Sequence, residues 1–495
     1  MNKSADTFSL NETTIQQIHA AMEAGTLTCR QLAAAYLERI AAYDQQGPCL
    51  NAMIAVNPQA LSDAAELDRR FVEGGLTGPL HGIPVLLKDN IAAKGMATTG
   101  GSISLADFVL PEDAWITRRL KQAGALILGK TNLHEFAIWG ETVSSIAGQT
   151  RNPYDLTRTP GGSSGGTGAA IAANFAATGI GTDTVNSIRS PASANALTGL
   201  RPTLGLVSRQ GIIPYSLTQD TAGPITRTVT DAAILLEAIA GYDANDSITA
   251  LSHGHIPPSY TASLVRDGLT NKRIGILRSC FGTAADNDAV NSIMAASCRL
   301  IREKGAILVE LEHIIDMDEI VRDVSVHLYD LQADLDNFLT AANAPVTSLK
   351  EILASGRYHP QIGSVLQQAA ALSPDKPDYF IRLARQAALR EQLLQLLNDH
   401  QLDAFVYPHQ QQLVVEIGEP QTERNGALAA VTGWPAITVP AGFSPPTEHA
   451  PLGVPVGIEF LGRPWSESLL LEIGYAFEQA SLVRKPPAST MQGQE

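Results

Sequence analysis

From "HGIPVLLKDN" onward the chain alternates short apolar runs with helical periodicity, and no other feature constrains its fold as much. Ile83 to Leu87 reads as a strand, the stretch around Ala114 to Ala123 as a helix, and Ala125 to Leu128 as a second strand. Strands that are apolar throughout are buried on both faces, so the pattern predicts an α/β core with a largely buried sheet. Upstream, "TCRQLAAAYLERIAAYD" sets Thr28 and Gln31 at capping-box spacing and lines Leu32, Tyr36, Leu37 and Ile40 along one helical face. That predicts short N-terminal helices within about residues 10–45. From about Asp316 to His400 strand signal fades and helical periodicity takes over, in "VHLYDLQADLDNFL" and "YFIRLARQAALREQLLQLLNDH". This marks a mainly helical layer or insertion, about 316–400. Apolar runs return in "DAFVYP", "PAITVPAGF" and "VGIEFLG", which suggests that the chain completes the original sheet. Length alone would allow two or three domains. Without a repeat or low-complexity linker between the parts, a single domain over 1–495 is expected.

A core of that size needs apolar residues, and they make up 44% of the 495. The formal net charge is −15, which repels phosphate backbones and anionic lipid, and no run of Lys and Arg compensates for it. Neither nucleic acid nor a membrane is an expected partner. The opening "MNKSADTFSLNETTIQQIHAAMEAG" lacks the continuous apolar segment of a secretory signal, which points to the cytoplasm. Cys29, Cys49, Cys280 and Cys298 form no CxxC pair and stand beside no histidine cluster. Neither a metal site nor a disulfide framework is expected, and no cofactor is implied.

Three glycine-rich candidates carry possible chemistry. "GALILGKT" fits the phosphate-binding P-loop pattern through Gly124, Gly129, Lys130 and Thr131. Its intervening residues are an apolar strand, whereas a P-loop needs a loop that turns its amides toward phosphate, so Lys130 reads as a structural or surface residue. "TRTPGGSSGGTGAA" contains G-x-S-x-G twice, at Ser163 and at Ser164. A nucleophile elbow follows a buried strand, and the preceding "RNPYDLTRTP" is polar and loop-like. The third candidate, "GIGTDTVNSIRSPAS", brings a further serine, Ser187.

"PGGSSGG" with Ser163, "GTDTVNSIRSPAS" with Ser187, and "PLHGIPVLLKDNI" with Lys88 together resemble the amidase signature family of serine hydrolases. Further segments fit in order, including "DAWITRRLKQAGALILGKTNLHEFA", "GQTRNP", "QDTAGPITRTVTDAAILLEAIAGYD" and "VTGWPAITVPAGF", so the resemblance covers roughly residues 10 to 485. "KRIGILRS" and "YDLQADLDNFLTAANAPVTSLKEIL" look closest to the bacterial peptide amidase branch. The resemblance implies an α/β/α sandwich, with a large mixed, twisted central sheet covered by helices. It also implies hydrolysis of a carboxamide C–N bond through an acyl-enzyme on Ser187, releasing ammonia or an amine. Ser163 would relay protons and Lys88 would act as the ultimate base. In the family the peptide before the first serine of this loop is cis, which aims its hydroxyl between nucleophile and lysine.

Residue chemistry fits those roles. A serine hydroxyl alone is a poor nucleophile, and a lysine accepts a proton only when its ordinary pKa of about 10.4 is depressed. Lys88 ends the apolar run "IPVLL", where a strand would carry its amine into the interior, although an isolated lysine there would simply snorkel outward. Ser164 is expected to hydrogen-bond within its loop, and Asp183 with Arg189 to form a network holding the Ser187 loop. Backbone amides of Thr184, Val185 and Asn186 through Ser187 are the expected oxyanion donors. Ala137, Ile138 and Trp139 match positions lining the substrate site in relatives, though an aromatic there could equally be core. The chain departs from the family at Val185 and Asn186, where most relatives carry two glycines. Ordinary backbone angles are expected there, with Asn186 hydrogen-bonding neighbouring backbone and both side chains tuning substrate range. Small, aryl and peptide amides stay open as substrates, and a homodimer stays open as the assembly. Two alternatives also remain: a glutaminase-type subunit of a tRNA-dependent amidotransferase, and a non-catalytic binding protein on the same fold.

Overall fold

A computed structural model of the chain describes residues 8–312 and 315–491. Its strands are β1 (Met53–Val56), β2 (Pro84–Lys88), β3 (Leu126–Thr131), β4 (Val143–Ser144), β5 (Gly148–Gln149), β6 (Thr178–Asp183), β7 (Thr198–Arg201), β8 (Thr221–Thr226), β9 (Arg273–Leu277), β10 (Ile307–Leu311), β11 (Ala404–Pro408), β12 (Ala436–Phe443) and β13 (Pro455–Leu461). Eleven of them pair into one sheet in the order β1, β3, β2, β6, β8, β7, β12, β13, β11, β9, β10, while β4 and β5 form a separate hairpin. The returning strands β11 to β13 join the sheet begun by β1 to β3, as the apolar runs predict.

The sheet is mixed. β2 lies parallel to β3 on one side and to β6 on the other, with Leu87 opposite both Lys130 and Ile180. The C-terminal ends of all three therefore open at one edge, where α/β sheets place their ligands. Every residue of β2, β3 and β6 is buried. Helices cover both faces, and β12 shows how. Ile437 and Val439 meet Gly474 on the helix Glu467–Ser481, whereas Thr438 and its neighbour Gly457 meet Ser193 on the helix Arg189–Ala194. Alternate residues of a strand point to opposite faces, so these helices form opposite layers of a sandwich.

The capping box at Thr28 and Gln31 is formed and starts the helix Cys29–Tyr43. Between β10 and β11 the described chain is helical, with long segments His327–Ala341, Leu349–Ser355, Gly363–Ala371 and Pro377–Asp399. The first three share a hydrophobic cluster with Leu105, Phe108 and the loop residues Phe136, Ala137 and Ile138. The last packs Leu389, Leu393 and Leu397 into a cluster with Phe405 and Trp434. This helical segment thus leans on the loops at the open edge of the sheet.

Candidate active site

Lys88 is the last residue of β2 and is fully buried. Its Nζ lies 2.7 Å from Ser163 Oγ, 2.8 Å from Thr182 Oγ1 and 3.4 Å from the Thr182 carbonyl. Burial, with Asp183 and Asp220 opposing from farther away, holds the amine down at about 7. A neutral amine has two N–H donors and one lone pair. Thr182 offers two oxygens to the donors, which leaves the lone pair for the Ser163 hydroxyl.

The Gly162–Ser163 peptide is cis. Gly162 has no room for a side chain, since a Cβ there would sit 2.6 Å from Thr142 Oγ1 and 2.9 Å from the Gly140 carbonyl carbon. Ser164 stands at the N-cap position of the helix Gly165–Ala172 without a side-chain capping bond. Its hydroxyl donates to the Thr182 carbonyl at 3.2 Å and accepts from the Thr182 amide at 3.3 Å. Both bonds join the serine loop to the neighbouring strand, and among the described residues Ser164 makes no hydrogen bond to Lys88.

Ser187 stands in the turn between β6 and the helix Arg189–Ala194. The carbonyls of this turn are all tied back into the protein. That of Thr184 accepts from Gln219 Nε2 at 3.0 Å, Val185 from Arg189 at 2.8 Å, Asn186 from the Ser190 amide at 2.7 Å, and Ser187 from the Ser164 amide at 3.2 Å. The amides of residues 184–187 have no acceptor among the described residues, and the next amide, that of Ile188, is taken by Asp183 at 3.0 Å. A loop with its carbonyls anchored inward and its amides free is preorganised to stabilise an anion.

Asp183 anchors it. Arg189 pairs with Asp183 at 3.1 Å and Arg201 does so at 3.0 Å, all three fully buried. Burial alone would raise the Asp183 carboxyl, but the two guanidinium groups hold it far below the usual carboxylate range. Arg189 also reaches Glu459 on β13.

Ser187 opens onto a cavity of about 440 Å³. Thr184, Val185 and Asn186 form one wall, and Ala137, Ile138 and Trp139 another. Phe136 and Ala137 hold φ of 51° and 60°, a left-handed conformation that residues with a side chain rarely adopt. Trp139 is 40% exposed at the rim, so it is not a core aromatic. Neither Val185 nor Asn186 has a positive φ, so both keep the ordinary backbone angles expected of them. The expected side-chain hydrogen bond of Asn186 is absent among the described residues. Its Cβ packs over Gly426 instead, leaving no room for a larger residue there. Lys130, the lysine of the P-loop pattern, is buried against Asp89 at 3.1 Å and is structural.

The family model named Amidase matches residues 31–471. The chain belongs to the amidase signature family. It is similar to the peptide amidase of Stenotrophomonas maltophilia, with a TM-score of 0.89, 41% identity and coverage of 96% of this chain and 98% of that one. A protein named "Probable amidase" from Arabidopsis thaliana is 35% identical over 98% of this chain and 93% of its own length. A glutamyl-tRNA(Gln) amidotransferase subunit from Halorhodospira halophila is 34% identical over 95% of this chain and 98% of its own length.

Sequence reasoning did not find the rest of the cavity wall. Met317, Asp318, Val321 and Arg322 close it from the helical segment, with Tyr215, His327 and Gln421 to Arg424 completing it. No helix among the described residues is long and apolar enough to cross a membrane, and no group of three or more His, Cys, Asp or Glu is placed to hold a metal ion.

Proposed function

We propose that this amidase hydrolyses a carboxamide C–N bond with Ser187 as nucleophile. Lys88 draws the proton of Ser163, Ser163 takes that of Ser187, and the alkoxide attacks the carbonyl carbon. The oxyanion is stabilised by the free amides of Thr184, Val185 and Asn186. The relay then runs backward to protonate the leaving nitrogen as the C–N bond breaks. Water attacks the acyl-enzyme by the same route and releases the carboxylate. One observation carries the reading: a fully buried amine, held at about 7, lies 2.7 Å from a serine hydroxyl and faces no carboxylate at contact distance among the described residues.

Asp183, Arg189 and Ser164 position the loops in this reading, and Ala137, Ile138 and Trp139 contact substrate. The cavity, with Ile138, Trp139, Val185, Met317 and Val321 on its walls, suits an amide whose acyl portion is apolar, from small or aryl amides to peptide amides. All reacting groups come from one chain, so no second subunit enters. Every one is a protein atom, so activity is expected to survive dialysis against EDTA. The similarity to amidotransferase subunits keeps glutamine as a second substrate to try, and ammonia release from free glutamine without other subunits tests it.

A fluorophosphonate probe followed by intact-mass analysis tests the nucleophile. One adduct on Ser187, absent in Ser187→Ala and formed more slowly in Ser163→Ala, is the expected result. An adduct on Ser163 or Ser164 in the Ser187→Ala protein would move the nucleophile into the glycine loop.

A further inference from the structure

The cavity wall carries a polar group that the relay does not use, the imidazole of His327. A chain of hydrogen bonds fixes which of its nitrogens bears the proton. Gln219 Nε2 donates to the Thr184 carbonyl at 3.0 Å, and Gln219 Oε1 accepts from the Val326 amide at 3.0 Å. A carbonyl only accepts and an amide N–H only donates, so the Gln219 side chain has a single orientation. Ser325 Oγ lies 3.0 Å from the same Oε1, an atom that only accepts, so the hydroxyl proton is assigned to that bond, beside the Val326 amide and Gln386 Nε2 at 3.5 Å. The contact of 2.6 Å between Ser325 Oγ and His327 Nδ1 is then a bond in which Nδ1–H donates. The network thus assigns His327 the Nδ1–H tautomer, which leaves Nε2 a lone pair with no partner among the described residues. The ring is braced edge-on to Tyr215 at 5.3 Å between centroids. Burial, with Arg382 nearby, holds the imidazole down at about 4, which keeps it neutral in ordinary buffers.

We propose that His327 Nε2 is a specificity-determining acceptor that binds a hydrogen-bond donor on the acyl portion of the substrate, namely a secondary amide N–H. The inference rests on the amidase reading of the same cavity. A wall acceptor that cannot donate rewards an N–H and penalises a carbonyl or ether oxygen at that point, because the oxygen would face a lone pair. The apolar walls bind the body of the acyl chain, and His327 selects chains that carry an amide. The same Gln219 that sets the tautomer also holds the Thr184 carbonyl, so the acceptor is rigidly placed relative to the oxyanion loop.

The test compares an N-acyl amino acid amide with its isostere carrying an ester oxygen in place of the internal N–H. Binding is measured by calorimetry in the Ser187→Ala protein, where neither ligand turns over, and ammonia release is measured in the enzyme with Ser187 intact. The N–H ligand is expected to bind about tenfold more tightly, the effect of one hydrogen bond. The preference should vanish in His327→Phe, which keeps an aromatic ring against Tyr215, and return in part in His327→Gln, whose side-chain oxygen accepts. Ser325→Ala, which frees the ring to carry its proton on Nε2, should weaken the preference even if His327→Phe fails to fold. An equal preference in His327→Phe, equal binding of both ligands by the parent, or binding of neither would overturn the proposal. Selective binding without ammonia release would instead overturn the amidase reading and leave the acceptor standing.

Discussion

Lys88 and Lys130 end up on adjacent strands, both fully buried, and differ by one carboxylate. Lys130 has Asp89 at 3.1 Å, and Lys88 has two hydroxyls and a carbonyl. Burial pushes both amines down, but at Lys130 the adjoining Asp89 carboxylate opposes that push, whereas at Lys88 only hydroxyls and a carbonyl are in contact and the carboxylates lie farther away. The sequence motif pointed the other way, since the P-loop pattern fell on Lys130. Its placement on an apolar strand was enough to reject phosphate binding, but the partner that makes it structural comes from a distant segment. For Lys88 the neutral amine is the working form, so kcat/KM for an amide is expected to rise with pH through about 7 and to collapse in Lys88→Ala. Stability should follow the same group. The folded amine titrates at about 7 and the unfolded one near its ordinary 10.5, so between these values the unfolded chain binds more protons and stability rises with pH. Below the folded value the buried lysine carries its full penalty, of order several kcal/mol. Urea denaturation of Lys88→Met against wild type should therefore favour the variant more at pH 6 than at pH 10. A pH-independent difference would mean that Lys88 is charged in the folded protein.

At the scale of elements, the turn at residues 184–187 and the loops that face it decide what enters. Strands β2, β3, β11, β12 and β13 and the capped helix at Thr28 were legible because each rests on local periodicity or spacing. The lysine and the two serine loops were legible because their patterns resemble those of the family. The segments that close the cavity were not. Met317, Val321 and His327 reach the site because their helices pack on Phe136, Ala137, Ile138 and Trp434, and no local pattern encodes a contact between residues so far apart. Val185 and Asn186 line the cavity with ordinary backbone angles. Val185→Gly and Asn186→Gly should thus leave hydrolysis of a small amide nearly unchanged and raise kcat/KM for bulky amides relative to it. Equal relative rates across such a panel would remove both residues from selectivity. Gly426→Ala tests the loop from behind, because the new Cβ would fall 2.5 Å from that of Asn186. Overpacking of this kind costs about 1–3 kcal/mol and should displace the free amides, lowering kcat more than KM is changed.

Across the whole molecule, the turn that holds Ser187 rests on residues from the far side of the sheet. Asp183 ends β6 and Glu459 lies on β13, with β8, β7 and β12 between them in the sheet. Arg189 spans the gap, bonding Asp183 with one side of its guanidinium and Glu459 with the other, while Tyr407 at 2.9 Å and His409 complete the shell around Glu459. Breaking a buried network by removing one charge typically costs about 3–5 kcal/mol, because the remaining partner is left uncompensated. Glu459→Gln keeps the size and some hydrogen bonds but loses the charge opposite Arg189, so it should destabilise the fold and slow turnover together, though it touches no substrate. Burial opposes ionisation of Glu459, but Arg189 and His409 hold its carboxyl down at about 2, below its ordinary 4.5. A carboxylate with a depressed folded value contributes stability that is fully present above the unfolded value and is lost as pH falls toward the folded one. The stability gap between wild type and Glu459→Gln should therefore be widest above about pH 5 and narrow by about 3 kcal/mol as pH falls toward 2. Denaturant titrations across that range decide it. A gap that stays constant with pH would mean that Glu459 titrates in the fold as it does in the unfolded chain, without net stabilisation by Arg189, and the Ser187 turn would then be held by Asp183 and its two arginines alone.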